Sequence, residues 1–307
     1  MRIVFFGTPE FAVPSLRALV AEGAEVVAVV TQPDRPQGRS RSILFAPPVK
    51  VVADELELPV LQPDRPRGDL FLASLKRLNP ELGVVVAYGH ILKPEVLAMP
   101  PRGMVNVHAS LLPRHRGAAP IQAAILAGDA VTGATIMQLD AGMDTGPILH
   151  QISTPIGPDE TGGELTLRLA ELGSQALIET LVMIQRGDLH PLSQDDRQAT
   201  YEPKIDRGMT RIRWTDGAES TARRIRAFDA LPGAWAMLDT LEIKLFGSRP
   251  RLEPAEPGVI LYTEPALVVG TGDGSVAIAD VQPAGKRRMS ASEWSRGHGA
   301  RPGLRFT

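Results

Sequence analysis

Five short apolar runs constrain the fold more than any other feature of this chain. They are RIVFF (2–6), EVVAVVT (25–31), GVVVAYG (83–89), MVNVHA (104–109) and GATIMQLD (133–140). Runs of this length, rich in β-branched residues, mark strands buried on both faces. Stretches with helical spacing lie between them, over about 9–22 and 70–78 and more weakly over 51–56. Alternation of strand and helix predicts an α/β domain, a Rossmann-like and mostly parallel sheet covered by helices. Ligands on such sheets bind beyond the carboxyl ends of the strands. His108 and the loop carrying Asp144 are expected there.

The pattern changes after a long helical stretch at about 163–186. A polar segment follows, and then short β-rich runs (LEIKLF, GVILY, ALVVG, SVAIADVQ) separated by Gly-, Pro- and Asp-rich turns, with one helical stretch at 221–228. That alternation predicts a small antiparallel β-barrel, OB-like in size. The reading divides the chain into a catalytic domain at 1–187, a linker at 188–204 and a barrel domain at 205–307. Residues 206–307 carry a net charge of +3 within a chain of net −2, and KRR at 286–288 is the densest basic patch. Lys286, Arg287 and Arg288, with Arg223, Arg224 and Arg226, are candidates for phosphate contacts. The alternative is a solvated surface patch.

Composition excludes some chemistry. The chain has no cysteine, so disulfides, thiolate nucleophiles and Cys-ligated zinc are ruled out. No stretch approaches the ~20 apolar residues of a membrane span. The apolar run after Arg2 is too short for a signal-peptide core. A cytoplasmic protein is expected.

The chemistry-bearing segment runs from Asn106 to Pro147. Asn106 and His108 stand two apart on a strand and therefore share a face. An imidazole exchanges protons near neutral pH, and an amide N–H can stabilise a developing oxyanion. Asp144 follows in DAGMDTGP, where Gly142 and Gly146 permit a sharp turn that presents the carboxylate inward. Each residue also has a plainer reading: a core histidine, a strand-end asparagine, an aspartate bonding its own turn. Asp140 is assigned that turn role. The loop Gln32–Pro48 has four prolines and three basic residues in 17 positions, long enough to be functional or a flexible insert. GTPEFA after the first strand has one glycine where a dinucleotide fingerprint needs three, so it is read as a tight strand-to-helix turn.

NVHASLLPRHRG and DAGMDTG, in this order, resemble the signature stretches of the folate-dependent formyltransferase family. FFGTPEFAVPSL, TQPDRPQGR, VVVAYGHIL, GAAPIQAAILAGD and QPAGKRRMS resemble its tRNA-specific branch and spread the likeness over nearly the whole chain. The resemblance implies that Asn106, His108 and Asp144 are catalytic and that Ser110, Leu111, Leu112 and Pro113 contact the reduced folate. It implies 10-formyltetrahydrofolate as cosubstrate, with no metal, and the α-amine of methionine on initiator tRNA as acceptor. Arg39 would reach the acceptor stem, with Arg41 beside it. The loop departs from the branch in reading GRSRSIL, with no lysine after Arg39. A monomer is expected. Two alternatives stay open: another acceptor, such as glycinamide ribonucleotide, an amino sugar nucleotide or water, or a tRNA-binding protein with a vestigial folate site.

Overall fold

The apolar runs become neighbouring strands of one sheet in a computed structural model of the chain, which describes residues 1–36, 43–298 and 300–307. In chain order the strands up to residue 202 are β1 (Arg2–Gly7), β2 (Glu25–Val30), β3 (Arg35–Pro36), β4 (Leu44–Phe45), β5 (Val60–Leu61), β6 (Leu82–Val86), β7 (Met104–His108), β8 (Arg116–Gly117), β9 (Val131–Gln138), β10 (Ile148–Pro155) and β11 (Tyr201–Glu202). Seven form the main sheet in the order β10-β9-β7-β6-β1-β2-β5. The pairs β6–β1, β1–β2, β2–β5 and β6–β7 are parallel, and β7–β9 is antiparallel. The chain runs outward from β1 to β2 and β5, then resumes on the other side with β6 and β7. That reversal is a topological switch point, and the crevice for a ligand lies at the carboxyl ends of the strands beside it.

Both faces of the sheet are covered, as continuous apolar strands require. Ile3, Phe5 and Val84 pack with Leu16, Val49, Val52, Leu177 and Leu181 from the helices α1 (Val13–Ala21), α2 (Pro48–Glu55) and α6 (Gly162–Arg186). Val4, Phe6 and Val85 face the other way, onto Phe71 and Leu75 of α3 (Asp69–Leu78). Burial of one apolar stripe stabilises each of these helices beyond what propensity alone supplies.

Two compact units emerge, and neither is contiguous in sequence. The first holds residues 1–117, 132–154 and 166–201, and the second holds 118–131, 155–165 and 202–307. The segment read as a linker bonds to the first unit: Leu192 and Ile148 exchange both backbone hydrogen bonds at 2.8 Å.

In the second unit β12 (Ala234–Leu238), β13 (Leu241–Arg251), β14 (Ile260–Tyr262), β15 (Leu267–Gly270), β16 (Ser275–Pro283) and β17 (Met289–Ser290) form an antiparallel sheet in the order β12-β13-β16-β15-β14, with β17 pairing β16. Residues 303–307 close it. Thr307 exchanges two backbone bonds with Met237 on one side, while Leu304 and Phe306 bond Ile260 and Gly258 on the other. The result is a small barrel. Its core includes Trp214, Ile243, Val269, Ile278 and Phe306, with Ile225 and Ala222 of α7 (Ala218–Ala227). The helix Pro120–Ala127 also belongs to this unit and packs on α7. Among the described residues no helix is long and apolar enough to cross a membrane.

Candidate active site

Strand β7 delivers Asn106 and His108 to one face at its carboxyl end, with Thr135 of β9 paired opposite His108. Asn106 is half-buried and His108 is 5% exposed. His108 Nε2 lies 2.8 Å from the backbone oxygen of His115. A carbonyl only accepts, so Nε2 carries the hydrogen and donates it. In the neutral ring the lone pair is then on Nδ1. Nδ1 stands 3.7 Å from Asp144 Oδ2.

Burial pushes the His108 imidazole below its ordinary value, and the charge of Asp144 and the His115 carbonyl oppose that shift. Desolvation is the larger effect, so the ring is neutral at pH 7 with a free Nδ1 lone pair.

The turn that carries Asp144 is tightly specified. Asp144 has φ 55°, a left-handed conformation uncommon outside glycine. Its Oδ2 accepts a hydrogen bond from Gly117 N at 2.8 Å, and Gly117 has φ 108°, which only glycine adopts readily. A Cβ at Gly146 would lie 1.8 Å from the Gln138 carbonyl oxygen. Asp140 accepts from Thr145 Oγ1 and Gly142 N, the turn chemistry expected of it.

A second layer stands behind these groups. The Gln194 carboxamide donates to the backbone oxygens of Asp144 and Gly146, both at 2.8 Å. Its oxygen accepts from Arg116 Nε and Nη2 at 3.0 and 2.8 Å. Arg116 is fully buried and also donates to Tyr201 Oη and Asp196 Oδ1. Thr200 accepts from His115 N through its hydroxyl and from Arg116 N through its carbonyl.

The four expected folate contacts divide in two. Ser110 is fully buried, its hydroxyl donating to Arg114 O and its carbonyl accepting from Thr135. Leu112 is buried against Met137 and Ile148, and its backbone bonds Thr135 and Gln151. These two build the wall. Leu111 and Pro113 are half-buried. The turn after β1 works as a strand-to-helix turn: Thr8 Oγ1 and Gln32 Nε2 both donate to Tyr88 O and hold the loop after β6. Tyr88 itself is 2% exposed, and burial pushes its phenol up to about 12.

The basic residues differ in their surroundings. Arg39 and Arg41 lie outside the described residues. They fall between β3 and β4, which pair as a short antiparallel ribbon. Lys286 and Arg287 are exposed, Arg287 beside Glu293 at 3.3 Å. Arg288 is not a free cation: it donates to Asp229 and Asp280, each at 2.9 Å, over the Phe246 ring. Arg224 and Arg226 also face inward. Arg224 donates to Met209 O at 2.6 Å, Arg226 donates to Pro158 O, and burial lowers both guanidinium pKa values.

Sequence reasoning missed the His115 carbonyl, the Gly117 N–H, Thr135, Arg116, Gln194 and Thr200. The first two act through the backbone, which carries no side-chain signal. The GDAVTGAT and QDDRQATY stretches read as ordinary strand and polar segment.

The chain is similar to known proteins. The Formyl transferase family profile matches residues 1–181, and the Formyl transferase, C-terminal domain profile matches 204–299. The methionyl-tRNA formyltransferase of Methylococcus capsulatus is 49% identical over 301 residues, covering 97% of each chain. That of Citrifermentans bemidjiense is 44% identical over 304 residues, covering 99% of this chain and 95% of its own. The crystal structure of HypX from Aquifex aeolicus in complex with tetrahydrofolic acid shares the fold at TM-score 0.64 and 20% identity, over 96% of this chain; the chain spans about half of HypX, 47%. Matching along nearly its whole length, in both of its parts, this chain belongs to the formyl transferase family.

Proposed function

We propose that the chain transfers the formyl group of 10-formyltetrahydrofolate to the α-amine of methionine on initiator tRNA, giving N-formylmethionyl-tRNA. The observation that carries the chemistry is His108, neutral and with its Nδ1 lone pair directed by the His115 carbonyl, standing 3.7 Å from Asp144 Oδ2 beside Asn106. The acceptor follows from the names of the relatives, which match end to end.

The donor set suits a reduced folate. Leu111 and Pro113 offer apolar side chains next to the polar groups of Asn106, His108 and Asp144. Bound 10-formyltetrahydrofolate supplies an activated formyl group on N10. The Asn106 carboxamide donates to the formyl oxygen as it gains charge, worth about 10²–10³ in rate for one such donor. His108 Nδ1 takes the proton released when the amine adds to the formyl carbon. It returns that proton to the departing nitrogen. Asp144 stabilises the imidazolium between the two transfers.

Lys286 and Arg287 of the barrel, with Arg39 and Arg41 of the 32–48 loop, are the phosphate contacts in this reading; Arg288, tied to Asp229 and Asp280, holds the patch in place. The working division remains 1–187 for catalysis, 188–204 as connector and 205–307 for tRNA. The protein acts as a monomer in the cytoplasm. The test is formylation of charged initiator and elongator methionyl-tRNA, with His108→Ala as control. Initiator-only formylation, lost in the variant, supports the reading. Folate turnover with another amine or with water keeps the family and overturns the acceptor. tRNA binding without turnover overturns the enzyme.

A further inference from the structure

We infer that Gln194 is a positioning residue for the formyl transfer: its carboxamide holds the Asp144 turn at its working distance from His108. This rests on the reading in which Asp144 acts on His108.

Gln194 lies in the polar segment between the two family-matched regions. Its orientation is fixed without ambiguity. A guanidinium only donates, so the amide oxygen faces Arg116. The amide nitrogen therefore faces the carbonyls of Asp144 and Gly146, and both of its hydrogens are used. The turn needs such a tie, because Asp144 holds an unfavourable left-handed φ of 55°. Asp140 restrains the turn only from within it.

The anchor at the other end is Arg116, fully buried and adjacent to His115. His115 O fixes the His108 tautomer. Neighbouring residues thus serve both partners of the His108–Asp144 pair: His115 O sets the imidazole, and the Arg116 guanidinium, through Gln194, sets the carboxylate. Displacement of a catalytic group by about 1 Å can cost roughly 10²-fold in rate.

Gln194→Glu separates this role from simple anchoring. A glutamate keeps the pairing with Arg116 but turns an oxygen toward the carbonyls of Asp144 and Gly146. Gln194→Ala, Gln194→Glu and Asp144→Asn are compared with the unaltered chain for kcat, for KM of folate and of tRNA, for thermal midpoint and for the NMR titration of His108. Both Gln194 variants should lose kcat by about 10²-fold with KM nearly unchanged. Their His108 titration should move to lower pH, because the carboxylate that raises it has receded. Should Gln194→Ala unfold, Gln194→Glu with an unchanged midpoint decides the matter. Unaltered kcat and His108 titration in Gln194→Glu, alongside loss of activity in Asp144→Asn, overturns the inference alone. Full activity in Asp144→Asn overturns the reading beneath it.

Discussion

The Nδ1 lone pair of His108 is present at neutral pH for two separate reasons. Desolvation keeps the ring uncharged, and the His115 carbonyl decides which nitrogen bears the hydrogen. The first reason has a sign that can be measured. The pKa is lowered from 6.5, so NMR titration should find His108 still neutral somewhat below that pH. Asp144 raises the value, so Asp144→Asn should lower it further; an upward shift in the variant would contradict the arrangement. Asn106→Ala should cost about 10²–10³ in kcat in a formylation assay. Both side chains were legible in the sequence because a two-residue interval on a strand fixes a shared face. Asp144 was legible from its glycine-flanked turn. The hydrogen bonds that tune them were not, since Gly117 N and His115 O belong to the backbone and their direction depends on tertiary folding.

Among the elements, the strands buried on both faces were readable, and some half-buried ones were not. Strand β10 shows its reason plainly: only its first two residues are buried, and HQIST reads as polar. Strand β12, AWAML, is alanine-rich and carries little β-propensity, so partners rather than sequence make it a strand. The turn after β9 is specified by one glycine. Gly146→Ala forces a Cβ against the Gln138 carbonyl and should cost about 1–3 kcal/mol by denaturant unfolding, with a fall in kcat as Asp144 moves. Barrel closure depends equally on one side chain. Phe306 is 2% exposed and sits 5.5 Å from the Trp214 ring, so Phe306→Ala should destabilise the second unit by about 3–5 kcal/mol. An unchanged transition for that unit would show that backbone closure alone suffices.

For the whole molecule, charge placement separates partner binding from stability. Lys286→Ala and Arg287→Ala should each weaken tRNA binding and reduce the slope of log affinity against log salt by about 1. Arg288→Ala should instead lower the thermal midpoint, because it leaves Asp229, 5% exposed, without its cation. All three carry the same charge, and what each side chain faces was not legible in the sequence. The excursions of residues 118–131 and 155–165 into the second unit were not legible, since their packing partners lie far along the chain. That interleaving bears on how the protein is made. A ribosome adds about 5–20 residues each second, so the helix Pro120–Ala127 emerges seconds before α7 exists to cover it. Until then Leu126, and the face of the helix that packs on α7, are uncovered. The barrel that completes their surroundings cannot close until residues 303–307 have been added. A nascent chain stalled after α6 therefore presents a chaperone with an apolar helix that the finished protein hides.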